Sequence, residues 1–197
     1  MPHVDVPLAL VSLRVVPDPP PEPPAGGGDE ATFRSVFRDH AARVAVVTAV
    51  SEPGARPVGF TATSLVSVSV RPPMVSFTLA RASGAWAVLG SSDRVAVHLL
   101  ADDQADVARI FATTGLDKFA AVAWTPGPSG EALLDGCGGY LLGRITDRVP
   151  AGDNVMVLAE VDDAWVARAG APLLYHDGRY TAVAPRPHTP HVVDDTV

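Results

Sequence analysis

The stretch from Gly59 to Phe77, GFTATSLVSVSVRPPMVSF, carries a sharply regular pattern of apolar and polar positions. Val66, Val68 and Val70 alternate with Ser67 and Ser69, and period-two alternation places the valines on one face of a strand and the serines on the other. Arg71 and a Pro72-Pro73 turn follow, and Met74 to Leu79 is a further apolar run. A face of hydroxyls beside the small residues Thr61, Ala62, Thr63 and Ser64 suits a planar polar ligand that approaches the backbone closely. It equally suits a half-solvated strand whose serines face water.

The rest of the pattern predicts mostly strands. Val44 to Val50 reads as a continuous run dominated by β-branched residues, as expected of a buried strand. The turn residues Glu52-Pro53-Gly54-Ala55 fold the chain back, so 57–63 should pair with it as a hairpin. Val95–Leu100 reads as another strand, and 136–148 and 154–167 read as two long antiparallel ones, with alternation at Val155, Val157 and Val161. Leu173–Tyr175 and Arg179–Val183 close the domain around an Asp177-Gly178 turn. Helical spacing is confined to three places. Phe33, Val36, Phe37 and His40/Ala41 recur from a cap at Asp29, Ser83–Ser91 packs through Trp86, Val88 and Leu89, and Val107, Ile110 and Phe111 form a stripe after Asp102-Asp103. Many short strands with few helices predict a mainly β barrel.

Composition narrows the class. At 197 residues with 47% hydrophobic and 19% charged positions, the chain can bury a globular core. A net charge of −7 and the lack of any basic cluster argue against a nucleic-acid partner. Residues 1–28, with PDPPPEPPAGGG at their end, read as a flexible arm, 29–184 as the domain and 185–197 as a frayed tail. Within the arm, Leu8–Val16 could add an edge strand. The lone Cys137 permits no internal disulfide and reads as a buried structural thiol. No signal peptide or membrane-length apolar run is recognisable, so a cytoplasmic location is expected. Neither a G-x-S-x-G elbow, an H-E-x-x-H pair nor a glycine-rich phosphate loop is present, and no metal is expected.

The Gly59–Phe77 segment resembles the signature of the flavin reductase family, GxTxxSxxSVSxxPP. Further segments agree in order: VAVVTA, the Leu79-Ala80-Arg81-Ala82-Ser83 turn, RVAVHLLADDQADVARIFA, DKFAAVAW, the Gly152-Asp153 pair and PLLYHDGRY. The resemblance implies a Greek-key split β-barrel with a few peripheral helices, assembled as a homodimer with flavin near the interface. It implies FMN or FAD as cofactor, NADH or NADPH as co-substrate, and transfer of reduced flavin to a separate monooxygenase. Flavin contacts are then expected from Thr61, Ala62, Thr63, Ser64, Ser67, Val68, Ser69, Ala80, Arg81, Ser83, His98 and Phe119, with Arg81 and Ser83 at the phosphate. Asp153 and Asn154 are expected to face the pyridine nucleotide.

The chain departs from the family pattern at specific positions. Asn154 stands where histidine is common, His98 where asparagine is common, and Ala42-Arg43 where Thr-Gly is usual. A histidine beside the flavin could change charge near neutral pH. The alternative function is a flavin-binding protein on the same scaffold without efficient NAD(P)H use, which acts on a small metabolite or carries flavin.

Overall fold

The computed structural model describes residues 29–183. The expectations for the proline-rich arm, for Leu8–Val16 and for the tail beyond 183 lie outside the described residues. Contacts divide the chain into two units, residues 1–36 and 37–197. Of the first, Asp29 to Val36 is described. There Asp29 Oδ1 accepts the Thr32 N–H at 2.7 Å, capping helix α1 (Glu30–Arg38), and Arg34 pairs with Glu30 one turn back. The helix predicted from the recurrence of Phe33, Val36 and Phe37 is present, but it buries none of its residues, and these three are exposed.

The second unit is mainly β. Its strands are β1 (Ala42–Arg43), β2 (Ala45–Ala49), β3 (Val58–Ala62), β4 (Val66–Val70), β5 (Pro73–Ala80), β6 (Arg94–Leu99), β7 (Trp124–Pro126), β8 (Ala132–Leu134), β9 (Gly139–Ala151), β10 (Asn154–Val166), β11 (Leu173–His176) and β12 (Arg179–Ala182). Two helices, α2 (Trp86–Leu89) and α3 (Ala105–Ala112), and a 3-10 turn at Lys118–Ala120 lie between strands. A seven-stranded antiparallel sheet runs β3-β2-β6-β9-β10-β5-β4. Its two outermost strands, β3 and β4, are consecutive in the chain.

One apolar cluster takes Phe60 and Ala62 from β3 together with Val75, Phe77 and Leu79 from β5, next to the opposite edge. The Phe60 and Phe77 rings sit 6.0 Å apart. The sheet therefore curls until its two ends share an interior, yet β3 and β4 form no ladder, so the barrel is split. The short link between them is pinned where Ser64 Oγ accepts the Thr78 N–H at 2.8 Å.

A second cluster lies on the other face of β2 and β6. Val44, Val46, Leu100, Ala108, Phe111, Leu134, Cys137 and Tyr140 pack there beneath α3 and the β7–β8 hairpin. This cover explains why Val44–Val50 shows no alternation: β2 is buried on both faces. The expected β2–β3 hairpin and the long β9–β10 pair are present, the latter turning at Gly152 with φ +64°. Cys137 is buried as the sequence suggests, and burial pushes its thiol up to about 11. No helix among the described residues is long and apolar enough to cross a membrane.

Strand β4 departs from the sequence reading. Ser67 lies opposite Val75, whereas Ser69 lies opposite Met74, so a bulge at Val68 interrupts the register. Residues directly opposite share a face, which puts Ser67 on the Val75 side and Ser69 on the Met74 side. The two serines thus occupy different faces, and the single hydroxyl face expected from alternation is not formed. Val66, Val68 and Val70 are 56%, 51% and 76% exposed, so these valines are not core residues either.

Candidate functional site

The site is built where β5 ends and the β9–β10 hairpin turns. Ala80 stands in register with Asn154, and the Arg81 N–H donates to the Asp153 carbonyl at 3.1 Å. The Ser83 N–H returns to the Ala80 carbonyl at 2.9 Å, closing a tight turn. The residues expected at a flavin phosphate and those expected at a pyridine nucleotide are therefore neighbours in space. The Arg81 side chain is exposed and enters no ion pair among the described residues. Ser83 Oγ accepts the Ala85 N–H at 3.3 Å, and Asn154 Nδ2 donates to Asp153 Oδ1 at 2.7 Å.

The hydroxyls of 61–69 fall into two groups. Thr61 Oγ1 donates to the Ala108 carbonyl at 2.7 Å, Ser64 holds Thr78, and Ser69 Oγ accepts the Arg71 N–H at 3.2 Å. These side chains shape the backbone. Thr63 and Ser67 are exposed, as is Val68, while Ala62 is buried in the barrel. Because β4 is the outermost strand of this sheet, the row of its N–H and C=O groups away from β5 has no ladder partner among the described residues and can meet a ligand.

His98 is not part of this surface. It is fully buried on β6, in register with Val46 and Tyr140, and its even-numbered face looks into the second cluster. Its Nδ1 lies 3.0 Å from the Val46 carbonyl, its ring meets Tyr140 edge-on at 5.5 Å, and Nε2 finds no partner among the described residues. The Ala132 carbonyl close by already accepts Thr48 Oγ1 at 2.8 Å. Burial drives the imidazole down to about 4, only partly opposed by the Val46 and Ala132 carbonyls. The expectation of a histidine beside the flavin that titrates near neutral pH is therefore corrected: His98 is a neutral core residue.

Phe119 is half-buried, edge-on to Phe111 at 5.3 Å and to Trp124 at 5.7 Å. With Ser83 it lines a cleft of about 770 Å³ between residues 56–59, the 82–85 turn and the 113–119 loop. Sequence reasoning missed Lys118 and Arg56 in this cleft. Lys118 Nζ donates to the Gly59 carbonyl at 3.0 Å and to the Phe111 carbonyl at 2.7 Å, and burial lowers its pKa. Arg56 pairs with Asp117 at 2.7 Å. The signal was present in Asp117-Lys118-Phe119, but only the aromatic residue stood out as a ligand contact.

A flavin requires donors along the edge of its ring, and a cation with further donors at its phosphate. Among the described residues, the outer backbone edge of β4, the exposed Thr63 and Ser67 and the exposed Arg81 guanidinium are donors of this kind.

Residues 37–184 match the flavin reductase like domain family, and the chain belongs to it. It is 37% identical over 190 residues to an NADH:FMN oxidoreductase of Rhodococcus erythropolis, spanning 89% of this chain and 95% of that protein. It is 32% identical over 170 residues to the reductase subunit HsaB of a flavin-dependent monooxygenase from Mycobacterium tuberculosis, spanning 85% of this chain and 90% of that protein. The structure superposes with a TM-score of 0.74 on the Streptomyces globisporus NADH:FAD oxidoreductase SgcE6 solved with NAD and FAD fragments, at 34% identity, over 80% of this chain and 94% of that one.

Proposed function

We propose that this chain is an NAD(P)H:flavin oxidoreductase that supplies reduced FMN or FAD to a partner monooxygenase. The observation that carries this reading is the junction of the Ala80–Ser83 turn with the hairpin tip at Asp153-Asn154. Arg81 and Ser83 hold the flavin phosphate, while the Thr63 and Ser67 hydroxyls and the backbone of Ser64, Val68 and Ser69 meet the ring edge. Thr61, Ala62 and Ala80 set the backbone at the floor of that site, and Phe119 lines its far side. Bound flavin supplies the hydride acceptor, so the protein needs to position two cofactors rather than to provide an acid-base pair. Asp153 and Asn154 face the pyridine nucleotide at the point where it must reach the flavin.

A second copy of the chain completes the assembly in this reading, covering the exposed β4 valines. Light scattering should give a mass near twice 20.5 kDa. Use of a diffusible pyridine nucleotide, with a buried, unpaired thiol, suits a cytoplasmic location. The decisive experiment is anaerobic addition of NADH, then NADPH, to the purified protein with FMN or FAD. Loss of visible flavin absorbance is expected. Flavin binding without any bleaching by either nucleotide would instead establish a flavin carrier, or an enzyme acting directly on a small metabolite.

A further inference from the structure

A second cavity, of about 520 Å³, is lined by Arg43 of β1, Leu99 of β6, Tyr140 and Leu141 of β9, and Trp165 and Val166 of β10. No residue assigned to the flavin or to the pyridine nucleotide lines it. Its volume lies within the range of about 300–1,000 Å³ typical of small-molecule sites. Tyr140 and Trp165 stand opposite each other on β9 and β10, and their rings stack at 4.9 Å with 17° between the planes. Tyr140 is buried, whereas the indole stays 37% exposed and Val166 82% exposed. Aromatic and aliphatic surface left open in a concavity suits the face of a planar ligand.

Two guanidinium groups bring charge to this wall. Arg168 donates to both carboxylate oxygens of Asp103, one of them at 2.9 Å, so its charge is compensated. Arg43 enters no ion pair among the described residues, and partial burial holds its pKa below the usual value. Neither aspartate nor glutamate lines the cavity. Arg43 belongs to the Ala42-Arg43 pair that stands in place of Thr-Gly, so this charge lies outside the family pattern. One uncompensated cation calls for a monoanion, and the planar fork of a guanidinium fits a carboxylate. Two N–H groups of the wall, those of Gly138 and Arg168, are already spent on the Leu99 and Gly138 carbonyls, which disfavours a dianionic phosphate. A second copy apposed through the same patch would bring another arginine and no acid, which disfavours self-contact.

We infer that this cavity binds a small aromatic carboxylate, with its ring against Trp165 and Val166 and its carboxylate on Arg43. The site is additional to those of the cofactors, and its occupancy can be measured whether or not the protein reduces flavin.

Calorimetry on the full chain, with 2-naphthoate as probe and 2-naphthamide as its neutral counterpart, provides the test. The acid should bind about tenfold or more tightly than the amide, the worth of one charge-assisted contact. Arg43→Gln should bring the acid down to the affinity of the amide and leave the amide within about twofold. Gly170→Leu, at a lining position where an added Cβ meets nothing within 4 Å, should weaken both by filling the space. Arg43→Gln alters an exposed side chain and decides alone if Gly170→Leu does not fold. Failure of 2-naphthoate to bind at millimolar concentration, or equal affinity for acid and amide, would overturn the inference. Displacement of the probe by equimolar inorganic phosphate would also overturn it, marking an anion site without aromatic selection. A wild type that binds no probe, with a Gly170→Leu variant of altered mass in light scattering, would assign the face to contact between copies instead. Acid binding that emerges only in an Asp194→Asn, Asp195→Asn variant would give the cavity to the chain's own acidic end and sink the small-molecule assignment.

Discussion

The backbone of Arg81 is hydrogen-bonded to that of Asp153 at 3.1 Å, joining the end of β5 to the tip of the β9–β10 hairpin. Through this bond the segment expected at the flavin phosphate and the segment expected at the nicotinamide form one structural unit. A substitution on either side chain is therefore interpretable only if both ligands are measured.

An Arg81→Ala, Ser83→Ala double variant should weaken FMN or FAD binding by about 1.5–3 kcal/mol, roughly ten- to a hundred-fold, with the fold unchanged. Arg81 is exposed, Ser83 is half-buried, and neither belongs to a core cluster. Fluorescence titration provides the measurement. Unaltered flavin affinity in the variant would remove these residues from the site.

Asn154 spends one donor on Asp153 Oδ1 at 2.7 Å, which reduces what it can offer a nicotinamide. Asn154→His should lower the KM for NADH about five- to thirty-fold, the worth of one good contact, with flavin affinity little changed. Steady-state kinetics at saturating flavin will show this. A wild type and a variant that both bind flavin and both fail to oxidise NADH and NADPH would favour the carrier reading.

His98 makes stability depend on pH. Its folded-state value is about 4, below the ordinary 6.5, so between these values the unfolded chain binds the proton and the folded one does not. The stabilisation is complete above the unfolded value, begins to be lost as pH falls below about 6.5, and is fully lost once pH passes below about 4. The whole span is about 3 kcal/mol. Urea unfolding at pH 7 and at pH 5 should show a larger loss for the wild type than for His98→Asn. Equal losses would mean that the imidazole is not held neutral.

Glu131 is a fully buried carboxylate whose Oε1 accepts Arg94 Nε at 2.9 Å, and Arg94 reaches Asp162 at 2.9 Å with another nitrogen. Arg94→Met should destabilise the protein by about 3–5 kcal/mol, because it strands the carboxylate in the interior. Adding Glu131→Met should recover most of that loss. Chemical denaturation of both variants measures the difference, and a double variant as unstable as the single one would contradict the account.

How far the sequence was legible depends on how much each element owes to distant neighbours. Val44–Val50 was readable because burial on both faces leaves a valine-rich run without alternation, and the hairpin partner of β2 was marked by Pro53-Gly54. The bulge in β4 was not readable. Val66 to Val70 alternates perfectly, and only the register with Val75 and Met74 shows that Ser67 and Ser69 part company. The burial of His98 depends on α3 and the β7–β8 hairpin, which arrive later in the chain to close the second cluster. Lys118 looks like an ordinary loop lysine until the fold brings the Gly59 carbonyl to it. The turn at Ala80–Ser83 and the tip at Asp153-Asn154 were each legible, but their contact required the pairing of β5 with β10.

The irregular register of β4 has a consequence for colloidal behaviour. An outermost strand bearing three exposed valines would ordinarily template the addition of another extended chain, and so on without limit. With Val68 extruded, the repeat of pairing groups is broken partway along, and an incoming strand cannot match both halves at once. The same residue that separates Ser67 from Ser69 thus keeps this margin of the sheet from growing into fibres.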